Sequence, residues 1–204
     1  MSLRQFRLPG STAAALIAAL WLPATASTAR AADADALRQK TQSCAACHGV
    51  DGNSPNPALP RIAGQPKQFL VTQLFMFRED KRKDPQMSPM AANLSNADLN
   101  DLADFYSAQK MAPATAKVDA EKLAAGKRLT EQNNCVACHG PALLGQQHIP
   151  RLAGQHADYL RAQLQGFKAN TRFDMDGTMT SAAQALSPAD IELLAAYLSG
   201  LSAP

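Results

Sequence analysis

Two hexapeptides hold all four cysteines of this 204-residue chain: Cys44-Ala45-Ala46-Cys47-His48-Gly49 and Cys135-Val136-Ala137-Cys138-His139-Gly140. Cys-x-x-Cys-His is the spacing at which a c-type haem is attached covalently, with the histidine as iron ligand. Thiols about one helical turn apart can each bond a vinyl group on one side of a porphyrin, while the adjacent imidazole points at the iron. The chain is therefore expected to carry two covalently bound haem c groups, on Cys44, Cys47, Cys135 and Cys138, with His48 and His139 on the irons. A disulfide framework would use the cysteines of an exported chain but gives no role to a histidine after each pair. A structural zinc site needs four ligands, and each motif offers three adjacent ones. A thioredoxin-like redox pair needs a strand-rich setting that this chain does not supply.

Haem iron needs a sixth ligand or an open position, and that choice separates electron carriers from gas binders and peroxidases. Two methionines recur in register: Met87 stands seven residues before Leu94 and Met179 seven before Leu186, and they follow their histidines by 39 and 40 residues. Met90 aligns with Ala182 and Met175 with Lys83, so neither has a counterpart. Use of Met87 and Met179 as core filler would leave the matched interval unexplained. Pro60 and Pro150 follow the histidines by 12 and 11 residues and open Pro-Arg-x-Ala-Gly-Gln turns. Turn chemistry alone could place them, but a metal-bound histidine normally donates its second ring N–H to a carbonyl or carboxylate, and a proline carbonyl is a suitable acceptor. Arg61 and Arg151 are expected to meet haem propionates or to be solvated. His148 and His156 have no counterparts and read as surface residues, and Lys81-Arg82-Lys83 reads as a solvated face or a docking patch.

The elements that must position these residues come in two copies. Pro60 to Gln65 falls on Pro150 to Gln155, and Leu70, Gln73, Leu74 and Phe77 fall on Leu160, Gln163, Leu164 and Phe167, at an offset of 90. Leu94-Ser95 meets Leu186-Ser187 at 92, so the second copy has gained two residues in between. Two homologous domains are expected at residues 32–116 and 117–204, with the boundary near Ala116 in the Pro-containing stretch from Gln109 to Lys117. Three- and four-residue apolar spacing predicts a middle helix in each copy, and Ser95 with Asp98 and Ser187 with Pro188 and Asp190 predict caps for the last helices. Only 5% of residues are aromatic, and abundant alanine with few β-branched residues argues for an all-α fold. Domains of this size usually need a disulfide, metal or large cofactor to complete a core.

Residues 1–31 have the parts of an export signal: Arg4 and Arg7, an apolar stretch from Ala13 to Leu22, and small residues around Ala29 and Ala31. The stretch is shorter than the ~20 residues a spanning helix needs, which disfavours a membrane anchor. Cleavage is expected after Ala31, with Ala26 the competing site. Without Arg4, Arg7 and Arg30 the charge balances at 17 basic against 17 acidic residues, and such a chain lacks the basic field of a nucleic-acid binder.

The sequence resembles the cytochrome c4 family, dihaem proteins built from tandem class I cytochrome c domains. Cys44 to Ser54, both Ala-Gly-Gln turns, the Gln-Leu pairs at 73–74 and 163–164, and the Met87 and Met179 segments before Leu-Ser carry that resemblance, which covers residues 33–201. It implies His48 with Met87 and His139 with Met179 as axial pairs, haems facing each other across the domain interface with their propionates close, and a periplasmic location. It also implies single-electron transfer, not catalysis, from a donor such as a quinol-oxidising cytochrome complex to an acceptor such as a terminal haem-copper oxidase, with peripheral association with membrane complexes. An electron-transfer subunit of a periplasmic dehydrogenase is the alternative, and a dihaem peroxidase is disfavoured because both copies keep a methionine. One departure stands out: the second copy has a glycine in its opening helix, between Leu123 and Leu129, and the first copy, over Asp33 to Gln42, does not. That places in doubt the crossing of first and last helices in the first domain.

Overall fold

A computed structural model describes residues 25–202, with side chains described from Asp35 onward. Its helices are α1 (Thr25–His48), α2 (Lys67–Arg78), α3 (Met87–Ala91), α4 (Asn96–Ser107), α5 (Ala120–Gln132), α6 (Cys135–His139), α7 (Ala157–Lys168), α8 (Thr178–Gln184) and α9 (Pro188–Ser199). The described residues hold no strand beyond one isolated bridge between Gln146 and Ile149, and the fold is all-α. No described helix is long and apolar enough to cross a membrane. Most of the leader expected at 1–31 lies outside the described residues, and α1 runs unbroken through Ala31.

The first half comprises α1 to α4 and the second α5 to α9, joined by a stretch without regular structure from Lys110 to Asp119. Helices α2 and α7 bury the stripes that their apolar spacing predicts: Leu70, Met76 and Phe77 in one, Leu160 and Phe167 in the other. Helices α4 and α9 begin with full capping boxes, in which Ser95 and Ser187 accept from the amides of Asp98 and Asp190 while those carboxylates accept from the serine amides. The buried faces of α4 and α9 then meet α2 and α7. One core gathers Leu70, Leu102, Ala103 and Tyr106, and the other includes Leu143, Leu160, Leu186, Ile191, Leu194 and Leu198.

The copies differ where the chain approaches the cysteines. In the first, α1 carries the motif on its own last turns. In the second, the helix stops at Gln132 and restarts as α6, because Asn134 adopts a left-handed conformation with φ of 54°, which asparagine tolerates better than most residues. The missing glycine of the first copy does not prevent α1 from packing on α4. Leu37 and Cys44 border the first core, Lys40 pairs with Asp98, and the Tyr106 hydroxyl donates to the Thr41 carbonyl at 3.5 Å. In the second copy α5 crosses α9 at Gly126, where an added Cβ would lie 2.3 Å from Cβ of Tyr197.

Candidate functional site

Both cysteine pairs sit on helical turns, so Cys44 and Cys47, and likewise Cys135 and Cys138, are presented one turn apart. All four are free of disulfides, Cys47 and Cys138 are exposed, and burial pushes the half-buried thiols of Cys44 and Cys135 up. The histidines that follow are buried, at 6% exposure for His48 and 4% for His139. His48 Nδ1 lies 3.0 Å from the Pro60 carbonyl oxygen and His139 Nδ1 lies 2.8 Å from that of Pro150. A carbonyl can only accept, so Nδ1 carries the proton in both rings and Nε2 keeps its lone pair for a metal. Burial also holds both imidazoles below the usual histidine range, against the smaller opposing effect of the proline carbonyls, and so favours the neutral form that ligates metals.

Met87 opens α3 and Met179 lies in the first turn of α8, each half-buried, whereas Met90 and Met175 are 49% and 62% exposed. An aspartate fixes each backbone there: Asp84 accepts from the Met87 amide at 2.8 Å, and Asp174 accepts from the Met179 amide at 2.8 Å and from the Thr180 hydroxyl at 3.1 Å. Asp84 and Asp174 still correspond at an offset of 90, so the two extra residues of the second copy lie between Asp174 and Met179. Met175 therefore belongs to that longer loop and does not stand opposite Lys83.

Several residues for which solvent was one of the expected surroundings lie at the contact between the domains. Arg61 and Arg151 are 7% and 9% exposed. The Arg61 guanidinium donates to the carbonyls of Ala112 at 3.3 Å and Gly154 at 3.2 Å, and Arg151 Nε donates to that of Ala153 at 3.0 Å. Burial lowers the pKa of each guanidinium. His156 is not a free surface residue: its Nε2 lies 2.8 Å from the Ser54 carbonyl of the first domain, while His148 is exposed as expected. Arg82 also leaves its exposed lysine neighbours, crossing to Tyr159 Oη at 3.1 Å and Gln163 Oε1 at 3.0 Å in the second domain. Its counterpart Arg172 donates to the same Gln163 oxygen, and the two guanidinium carbons lie over Phe77 and Phe167, 4.6 and 4.4 Å from the ring centroids. Burial, with Arg82 adding to it, pushes Arg172 down to about 10.

The Ala-Gly-Gln turns make a reciprocal clasp that the repeat alone did not reveal. Gln155 accepts from the Arg61 amide and donates to the Arg61 carbonyl, both at 2.8 Å. Gln65 accepts from the Arg151 amide at 2.9 Å and donates to the Arg151 carbonyl at 3.0 Å. The same patch on each domain meets its equivalent, as across a two-fold axis.

This donor set fits a covalently attached haem in each half. Each site supplies two thiols one turn apart, a neutral buried imidazole with a free Nε2, and a half-buried thioether, a set suited to low-spin iron. The interface adds buried cationic donors for carboxylates, and Nε of Arg61 and Nε of Arg172 have no partner among the described residues.

Comparison with known proteins gives a consistent picture. Residues 32–109 and 123–202 each match the family model described as cytochrome c. A cytochrome c4 of Pseudomonas aeruginosa is 38% identical over 180 residues, spanning 84% of this chain and 90% of the relative. A thiosulfate dehydrogenase electron acceptor of Thiomonas intermedia is 35% identical over 197 residues, spanning 91% and 88%. The crystal structure of reduced recombinant cytochrome c4 from Pseudomonas stutzeri matches with a TM-score of 0.75 at 36% identity, covering 82% of this chain and 97% of that one.

Proposed function

The chain belongs to the cytochrome c family, with two tandem domains and two covalently bound haem c groups, and from that premise we propose that it is a periplasmic carrier passing single electrons between respiratory partners. It is an electron-transfer protein and not an enzyme, as its cytochrome c4 relatives are. Each haem supplies a one-electron ferrous–ferric couple. Cys44 and Cys47 anchor one haem, and Cys135 and Cys138 the other. His48 with Met87 would hold one iron and His139 with Met179 the other, with Pro60 and Pro150 orienting the imidazoles from behind. Arg61 and Arg172 offer buried Nε donors for propionates. Domain boundaries at 32–116 and 117–204 give each haem one complete set of these residues.

The observation that carries this reading is the duplicated histidine–proline contact, which prepares both imidazoles for iron in the same way. Soft thioether ligation favours the ferrous state and raises the potential, as suits a carrier between a quinol-oxidising cytochrome complex and a terminal haem-copper oxidase. Similarity to a thiosulfate dehydrogenase electron acceptor favours a second reading, an electron-transfer subunit tied to a periplasmic dehydrogenase. Purification from the native host separates the two. A free, soluble chain with two haem masses under denaturing mass spectrometry, reduced directly by the membrane complex, supports the carrier. Co-purification with a large dehydrogenase that alone reduces it supports the subunit, and fewer than two haem masses would overturn both.

A further inference from the structure

Each of the peptide units that face the axial histidines is bonded at both ends. The Pro60 carbonyl accepts from His48 Nδ1 at 3.0 Å, and the N–H of that same peptide, on Arg61, donates to Gln155 Oε1 of the second domain at 2.8 Å. The second copy repeats this in the opposite direction. The Pro150 carbonyl accepts from His139 at 2.8 Å, and the Arg151 N–H donates to Gln65 Oε1 of the first domain at 2.9 Å. We propose that Gln155 and Gln65 are positioning residues that tune the haems crosswise, each glutamine setting the reduction potential of the haem in the other domain.

The reason lies in the amide group. When a peptide N–H donates to an acceptor, electron density shifts toward its own carbonyl oxygen, which then accepts more strongly, and chains of hydrogen bonds reinforce one another in this way. A stronger acceptor behind the imidazole increases its basicity toward iron and stabilises the ferric state. Both glutamines are 3% exposed, so water does not compete for the peptide, and each is locked by a second bond from its own Nε2 to the arginine carbonyl beyond. The inference rests on the assignment of His48 and His139 as iron ligands.

The test uses Gln155→Leu and Gln65→Leu in the loaded protein, with the potential of each haem read separately through NMR signals assigned to one domain or the other. Gln155→Leu is expected to favour reduction of the first-domain haem by about threefold in equilibrium constant, with a smaller change in the second, and Gln65→Leu should do the reverse. Interface loosening alone would move the haem of the mutated domain or both equally, and either pattern overturns the proposal, as does no shift. Should the leucine variants fail to fold, Gln155→Glu and Gln65→Glu keep the accepting oxygen and strengthen it. They should lower the potential of the opposite haem, and a same-domain shift or none overturns the proposal. Loss of the methionine-to-iron charge-transfer band in the oxidised state would point to failure of the ligand assignment. An intact band with uncrossed shifts defeats only this inference.

Discussion

The two domains fill one equivalent space from opposite sides. Gly52 and Leu143 stand at the same point of the two copies, each accepting from two amides of the Pro-Arg-x-Ala turn, and both have positive φ, 81° and 56°. Tyr106 and Leu198 also correspond, since their carbonyls accept from Gly64 and Gly154 at 2.9 Å. In the first domain a Cβ on Gly52 would meet Tyr106 Cδ1 and the Ala63 nitrogen, both at 2.8 Å. In the second, Leu143 brings its own side chain, 2% exposed, and the smaller Leu198 stands where the tyrosine was. A leucine in the left-handed region costs on the order of 1–2 kcal/mol, and burial of its side chain returns about 1.5–3 kcal/mol. What the duplication preserved is the filled volume and not the residue at each position.

The helix crossings differ in the same spirit. Gly126 lets α5 lie against Tyr197, while α1 reaches α4 through longer side chains and an ion pair between Lys40 and Asp98. The largest expected effect therefore comes from Gly126→Ala, whose methyl would overlap the tyrosine. It should destabilise the second domain by about 3 kcal/mol, whereas Asp35→Ala, at the aligned and exposed position of the first domain, should stay within about 0.5 kcal/mol. Thermal unfolding of the loaded protein, followed by NMR signals assigned to each domain, checks both. Equal losses would mean that the two crossings are alike.

Next in size is Gly52→Ala, which combines an unfavourable φ with contacts that cannot give way, at about 2 kcal/mol. Tyr106→Leu, which clears the ring from that position, should reduce the added cost of Gly52→Ala. A double-mutant cycle by denaturant unfolding measures this coupling, and strict additivity would show that the exchange of volumes is coincidental.

The smallest effect concerns His156, which has no equivalent in the first copy and bonds to the Ser54 carbonyl across the interface. Burial holds its pKa below the ordinary 6.5, with Arg61 lowering it further against the opposing effects of Ser54 and Asp158. The unfolded chain therefore takes up the proton first as pH falls, so stability from this group is complete above about pH 6.5 and declines below it. His156→Gln should flatten the fall in thermal midpoint between about pH 7.5 and about pH 5.5. A steeper fall in the variant would show that the histidine is charged in the fold.

Much of this was legible in the sequence because it was written twice. The cysteine motifs, the α2 and α7 stripes and the two serine caps depend on local spacing, and the repeat separated Met87 and Met179 from the other methionines. The clasp was not legible: Gln65 and Gln155 bond to residues 86 and 94 positions away, and a repeated turn does not say which domain it faces. Arg82 was hidden by its lysine neighbours, although a signal was present, since it recurs as Arg172 at an offset of 90 while Lys81 and Lys83 align with Thr171 and Phe173. Asp84 and Asp174 recur in the same way. His156 left no such trace, because its partner is a backbone carbonyl, which any residue provides.

The most direct test of two equivalently ligated haem centres is absorption spectroscopy of the loaded protein with Met87→Ala, Met179→Ala, both together, and Met90→Ala. Each of the first two should remove half of the far-red sulfur-to-iron band of the oxidised protein and open one reduced haem to carbon monoxide. The double variant should lose the band entirely, and Met90→Ala should change nothing. A band that survives Met87→Ala or Met179→Ala at full strength, or native reduced protein that binds carbon monoxide readily, would contradict the account.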